Sequence, residues 1–162
     1  MFPVIFKSML KKKASIFEIE GLSYGRKFNL LGRLYLSALA KELKDLNLER
    51  HFSVLILIDK MGDQCCQKFI ADALHIDKAM MVGVLDDLGK KGFVKRAQNP
   101  SDRREYWIQL TSKGKKSMPK IISAVNRLNK SIMKNVSKEE EKKLHSQLES
   151  IYESLLIFSN SV

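Results

Sequence analysis

Apolar residues recur along most of this chain at spacings of three and four, the period of helices that each bury one face. From about Arg26 to Leu46 the series Leu31, Leu34, Tyr35, Ala38, Leu39 and Leu43 runs without Gly or Pro after Gly32, which predicts a long amphipathic helix interrupted at Asn47. A second helix is predicted from about Glu49 to Met61, and its Val54-Leu55-Ile56-Leu57-Ile58 centre should be buried on most sides. Beyond Gly62-Asp63, the stretch Gln67 to His75 places Phe69, Ile70, Ala73 and Leu74 on a short helix, with Ile76 packing in the bend that follows. Asp77 then stands where a carboxylate can accept a first-turn N–H, and helical spacing resumes through Met81, Val84, Leu85 and Leu88 until Gly92. The middle of the chain thus reads as helix, tight turn, helix.

Only after Gly92 does the period change. Phe93 to Arg96 and Glu105 to Leu110 read as strands separated by the turn formers Asn99-Pro100-Ser101-Asp102, the single hairpin this pattern contains. Thr111 or Ser112 can then cap a long helix that keeps Met118, Ile121, Ile122, Val125, Leu128 and Ile132 on one face, and Pro119 inside it calls for a kink or a later start. Ser137-Lys138-Glu139-Glu140 is a capping-box pattern, and Leu144, Leu148, Ile151, Tyr152, Leu155 and Leu156 line a final helix. The first and last helices carry more apolar face than a small core can cover, which burial against a second copy would resolve. The expected fold is mainly α: a winged helix-turn-helix, helices plus one β-hairpin wing, with long N- and C-terminal dimerisation helices. Its divisions are an N-terminal arm over 1–25, a dimerisation helix over 26–48, the winged module over 49–112 and the C-terminal dimerisation helices over 113–162.

A length of 162 residues accommodates one such domain with its extension, and a second, large catalytic domain is not expected. The 29 Lys and Arg against 18 Asp and Glu, a formal charge of +11, point to an anionic partner, either nucleic acid or an acidic membrane surface. That charge is concentrated. Between Gly89 and Lys120, ten basic residues (Lys90, Lys91, Lys95, Arg96, Arg103, Arg104, Lys113, Lys115, Lys116, Lys120) face only Asp102 and Glu105. A helix-turn-helix with a wing sets its second helix in the major groove and its hairpin tip against phosphates or the adjacent minor groove, so double-stranded DNA is the favoured partner. No apolar run approaches the roughly 20 residues a bilayer requires. Met1 to Phe6 precedes Lys11-Lys12-Lys13 in the reverse order of a secretory signal, so the cytoplasm is the expected location. The same order, apolar then basic, motivates a second reading as a helical interaction protein held at a membrane surface.

Three stretches, in order and flanked by long helices, carry a family resemblance. They are Gln67-Lys68-Phe69-Ile70-Ala71-Asp72-Ala73-Leu74-His75-Ile76-Asp77, then Val84 to Leu88 continuing through Lys91-Gly92-Phe93-Val94-Lys95-Arg96, then Asp102-Arg103-Arg104 with Leu110-Thr111-Ser112-Lys113-Gly114. They resemble the helix-turn-helix, recognition-helix end and wing of the MarR family of winged-helix transcription regulators, whose wing signature is Asp-x-Arg followed by Leu-Thr-x-x-Gly. The resemblance implies an obligate homodimer on a pseudo-palindromic operator, usually a repressor released by a small aromatic or phenolic ligand or by thiol oxidation. By the same resemblance Arg104 reaches the minor groove and Asp102 orients it, a role that suits a guanidinium in a narrow electronegative groove. Lys78, Met80, Met81 and Gly83 take the positions that face bases, and Ser101, Arg103 and Lys113 are phosphate candidates. On helical spacing alone Met81 also belongs with the core residues, whereas Met80 does not.

Several positions depart from the family pattern. Met80, Val82 and Gly83 stand where Thr, Ser or Arg is frequent, and Asp87 replaces a frequent basic residue. Specificity would then rest on apolar contact with thymine methyls, on the wing and on DNA shape, or the chain would bind DNA weakly and broadly. A ligand pocket is expected where the dimerisation helices meet the winged helix, with Phe28, Arg33, Tyr35 and Phe52 as candidates that otherwise serve core or interface. Cys66, at the start of the short helix, is the candidate redox thiol, and Cys65 should point into the core. His51, His75 and His145 lie on separate segments without metal-ligand spacing, so no metal or cofactor is expected. Paired catalytic carboxylates, phosphate-binding Gly loops and nucleophile elbows are not found in the sequence, and an enzyme is not expected.

Overall fold

The computed structural model describes residues 23–62, 65–100 and 105–161. The expected N-terminal arm therefore lies, up to residue 22, outside the described residues. The chain divides into two compact units, Met1–Ser53 and Val54–Val162. In the first, helix α1 spans Tyr24–Glu42, starting two residues before the expected Arg26 because the Ser23 hydroxyl accepts the Arg26 N–H. Its last turn tightens into a 3-10 segment at Lys44–Leu46, and Asn47, in the left-handed region at φ 51°, ends it. Helix α2 covers Phe52–Met61 and starts three residues later than expected, since Glu49 at φ 51° cannot be helical. Val54, Leu55 and Ile58 of α2 are fully buried, as its apolar centre demands.

The second unit holds the winged module. Strand β1 is Cys65–Cys66, helix α3 Gln67–Ala73, helix α4 Lys78–Lys90, strand β2 Val94–Gln98 and strand β3 Tyr106–Leu110. The sheet is antiparallel in the order β1-β3-β2, with Cys65 opposite Ile108 and Val94 opposite Leu110. The hairpin was legible in the sequence, but β1 was not, because two residues are too few to show alternation. Helix α5 follows at Ser112–Ile132 and α6 at Lys138–Asn160. Helix α5 begins at Ser112 and continues across Pro119, so the alternative of a later start is excluded. Met118, Ile121 and Ala124 on both sides of Pro119 are buried, and that packing holds the turn whose hydrogen bond proline cannot make. The capping box before α6 is complete: the Ser137 hydroxyl accepts from Glu140 N at 3.2 Å and Glu140 Oε2 accepts from Ser137 N at 2.8 Å. The Ser137 hydroxyl, donating to Glu140 Oε2 at 2.7 Å, and then the Ser137 N–H hold the Glu140 carboxyl below the usual carboxylate range.

Both helices of the helix-turn-helix end in the same hydrogen-bonded turn. After α3, Ile76 N donates to Ala71 O and His75 N to Asp72 O; after α4, Phe93 N donates to Leu88 O and Gly92 N to Gly89 O. The residue in the left-handed region is Gly92 at φ 77° in one case and His75 at φ 48° in the other. Histidine carries a Cβ penalty there that glycine does not, which is why the spacing alone extended α3 to His75. Among the core residues of this unit are Ile70, Met81, Leu85, Leu88, Phe93, Ile108 and Ile121.

Two helical glycines do opposite work. A Cβ at Gly114 would overlap the Phe93 carbonyl oxygen and press on Leu110, whereas one at Gly83 would meet nothing. Gly114→Ala should therefore lower stability by roughly 1–3 kcal/mol, the range of overpacked sites. Gly83→Ala should raise it by about 0.5–1 kcal/mol, the intrinsic helix preference. Urea unfolding midpoints check both, and a stabilised Gly114→Ala would show that α5 can move off the strand.

Candidate nucleic-acid interface

Asp77 sets the recognition helix. Its carboxylate accepts from Ala79 N at 2.8 Å and Met80 N at 3.2 Å, satisfying two first-turn donors of α4. Met81, Val84, Leu85 and Leu88 then form the buried side of α4. By helical geometry Ala79, Gly83, Asp86 and Lys90 lie opposite them. Lys78, Met80, Val82 and Gly83 are exposed, Met80 to 64% and Val82 to 39%. Met81, by contrast, has 0% exposure. This corrects its place among the base-facing candidates: its side chain belongs to the core because it shares a face with Val84, Leu85 and Leu88.

The end of α4 is tied to the start of α5 through three successive carbonyls. Lys91 O accepts from Lys113 Nζ at 2.6 Å, Gly92 O from Thr111 Oγ1 at 2.6 Å, and Phe93 O from Thr111 N at 3.0 Å. Thr111 Oγ1 in turn accepts from Gly114 N at 3.1 Å, and Lys113 Nζ lies 4.4 Å from the centre of the Phe93 ring. Thr111, Lys113 and Gly114 of the Leu-Thr-x-x-Gly run thereby each have a mechanical role. Lys113, a phosphate candidate from the resemblance, has its ammonium on a backbone carbonyl.

Ion pairs also redistribute the basic cluster. Asp86 pairs with Arg96 at 2.8 Å and Asp87 with Lys91 at 2.7 Å. Including these two carboxylates, the stretch from Asp86 to Lys120 holds ten basic residues and four acidic ones, a smaller excess than the window from Gly89 suggested. The Asp87–Lys91 pair is legible as an i,i+4 spacing; Asp86 to Arg96 joins a helix to a strand and has no periodic signal. Both pairs are partly solvated, so they orient side chains more than they stabilise the fold.

At the outer end of the wing, Asn99 Nδ2 donates to Glu105 Oε2 at 2.7 Å and Asn99 N to Glu105 O at 3.0 Å, closing the base of the loop. Ser101, Asp102, Arg103 and Arg104, the wing-tip candidates, lie outside the described residues. The other candidates are dispersed. Phe28 and Tyr35 are half-buried on α1, with Phe28 stacked on Tyr24 at 6.4 Å between ring centres and burial pushing the Tyr35 hydroxyl pKa up. Arg33 is exposed, and Phe52, at 1% exposure, is a core residue with no ring face left for a ligand. Cys65 is buried and Cys66 half-buried at the N-cap of α3, where its side chain caps no N–H. Sequence reading missed one further contact, His75 Nε2 to the Tyr152 hydroxyl at 3.0 Å, which joins the helix-turn-helix turn to α6 across 77 residues. Among the described residues no group of three or more His, Cys, Asp or Glu could hold a metal ion, and no helix is long and apolar enough to cross a membrane.

A capped helix presenting one open face beside a two-stranded wing defines a winged helix-turn-helix protein of the DNA-binding type. Residues 49–106 match the model of the MarR family. The chain is similar to the HTH-type transcriptional repressor YetL of Bacillus subtilis (strain 168), 28% identical over 113 residues that cover 69% of this chain and 68% of that one. The solved structure of the transcriptional repressor CouR bound to a 23-mer DNA duplex superposes with a TM-score of 0.71 at 26% identity, covering 80% of this chain and 92% of that one. CouR from Rhodococcus jostii RHA1 bound to p-coumaroyl-CoA gives 0.69 at 26% identity, covering 78% and 90%. The chain is thus similar to the MarR family over residues 49–106 and shares the fold of a transcriptional regulator of that family from Rhodococcus sp. RHA1.

The two cysteines should separate cleanly in chemistry. Burial, then the neighbouring Cys66, pushes the Cys65 thiol from about 9 up to about 11. A raised folded value means that the buried neutral thiol supports the fold fully below about pH 9 and that this support is lost as pH rises toward 11. In native protein at neutral pH, iodoacetamide should modify Cys66 and spare Cys65 until urea unfolds the chain. Peptide mapping that finds equal rates at both would contradict the buried placement of Cys65.

Proposed function

We propose that this chain is a homodimeric repressor that binds a pseudo-palindromic operator, one half-site per protomer, and lets go when a small aromatic ligand binds. The observation that carries the reading is the open face of α4 beside the basic wing, in a chain similar to a transcriptional repressor. Homodimerisation is supported by apolar residues left exposed on the terminal helices: Leu31 and Leu34 on α1, and Leu148, Ile151, Leu155 and Phe158 on α6. Ligand release is supported by the p-coumaroyl-CoA complex of CouR, with Phe28, Arg33 and Tyr35 as the residues to test. The reading assigns the chain no catalytic role and a cytoplasmic location.

In this reading Arg104 enters the minor groove with Asp102 steering it, Ser101 and Arg103 meet phosphates, and Lys78 faces the bases. Lys113 acts as a clasp on α4 in place of a phosphate contact. Met80, Val82 and Gly83 offer no hydrogen bond to base edges, so the major groove is read through thymine methyl groups, and Gly83 lets the helix backbone come close. An exposed mid-helix glycine that no internal neighbour requires is explained by an external surface that does.

Selection of bound duplexes from random DNA, followed by titration against a scrambled duplex at two salt concentrations, tests the reading. The expected winner is palindromic, with half-sites about one helical turn, roughly 34 Å, apart. Arg104→Ala should weaken its binding by at least ~1 kcal/mol, about fivefold. Replacing a contacted thymine by uracil should weaken it about fourfold per methyl, corresponding to ~0.8 kcal/mol for each buried group of that size. Steep salt dependence without sequence preference would instead identify a backbone-only DNA binder.

A further inference from the structure

We infer that α5 is itself a nucleic-acid contact: its basic stripe of Lys116, Lys120, Arg127 and Lys130 extends the binding surface beyond the winged helix and holds the phosphate backbone of DNA flanking the operator. The 21 residues of α5 include Lys113, Lys115, Lys116, Lys120, Arg127 and Lys130 and not one Asp or Glu. Spacings of four, seven and three place the four stripe residues on one side of the helix, and all four are exposed. The opposite side, Gly114, Met118, Ile121 and Ala124, is buried. Ser123 shares the exposed side, and its Oγ accepts from Arg127 Nη1 at 2.7 Å, which limits the swing of the guanidinium.

A helix face that merely meets water usually mixes the two signs, as α6 does with Lys138, Lys142 and Lys143 among Glu139, Glu140, Glu141, Glu149 and Glu153. Like charges four apart, such as Lys116 and Lys120, oppose helix formation, so the acid-free stripe runs against the stability of α5. It is also continuous with the duplex-facing module, because α5 starts at the Thr111 clasp where the wing strand returns. From Lys116 to Lys130 the helix rises about 21 Å, long enough to pass about six nucleotide steps of one strand. The chemistry favours a phosphate backbone over a lipid surface. A membrane-surface helix needs a continuous apolar face to insert beneath its basic one, and on α5 Met118, Ile121 and Ala124 are buried, leaving only Ile122 and Ile132 as exposed large apolar residues.

The test uses the full-length double variant Arg127→Gln/Lys130→Gln, checked for an unchanged thermal transition. Wild type and variant are titrated by fluorescence anisotropy, across a range of salt, on the selected operator alone and on the same operator extended by flanking DNA. The wild type should bind the extended duplex more tightly and with the steeper salt dependence. The variant should lose that gain, its log–log slope falling by roughly two per protomer at about 0.9 per phosphate contact, with binding to the short duplex unchanged. Identical slopes for variant and wild type on the extended duplex would overturn the proposal, as would loss of binding to phosphatidylserine vesicles with DNA binding untouched. If no operator emerges from selection, the same slopes measured on long random-sequence duplex decide the matter, so sequence-specific repression can fail while the α5 contact stands.

Discussion

The joint between α4, the sheet and α5 hangs on three consecutive carbonyls. Just past the end of α4, at the C-cap Lys91 and in the turn that follows it, the carbonyls of Lys91, Gly92 and Phe93 face the start of α5. Lys113, the Thr111 hydroxyl and the Thr111 N–H answer them in turn. Gly114 has no side chain because the Phe93 carbonyl occupies the space where one would go. The clasp fixes the angle at which α4 ends, the point at which β2 begins and the line along which β3 hands over to α5. Without it the wing would have no set direction relative to the helix beside it.

From that geometry follows a division of labour among the charges. The carboxylates of Asp86 and Asp87 are committed to Arg96 on β2 and to Lys91 at the C-cap of α4. Lys113 is committed to the clasp. The half of α4 nearest Asp77 is left with a nearly uncharged outer face of Ala79, Met80, Val82 and Gly83, with Lys78 at its edge. A surface of that kind suits reading of bases through shape and methyl groups, whereas the exposed positive charge lies around it, on the exposed side of α5. The near-neutral face and the exposed positive charge therefore sit on different elements.

Much of the architecture was legible in the amino-acid sequence because it depends on local rules. The Asp77 and Ser137 caps, the stop at Gly92, the hairpin and the core series of α4 follow from residue type and spacing, and each is present. The readings that changed involve partners distant in sequence or rare backbone conformations. Strand β1 exists only through its pairing with Ile108 and Trp107. Glu49 and His75 occupy the left-handed region, which nothing in their residue type announces. Phe52 was a plausible ring for a ligand until its burial removed it, and Met81 was assigned two roles that only its burial could decide between.

What the sequence by itself determined is the series of elements and the family-specific signature, since helix periodicity, caps and turn formers act over a few residues and need no tertiary context. What the tertiary structure decided is the use of each polar side chain. Lys113 lies 22 residues from the carbonyl it caps, Arg96 ten from its carboxylate and His75 77 from its tyrosine, distances over which no spacing rule operates. A lysine in a basic cluster is the same letter whether it meets phosphate, a carboxylate or a backbone carbonyl. Only the folded chain, by bringing those alternatives within 3 Å or keeping them apart, selects among them.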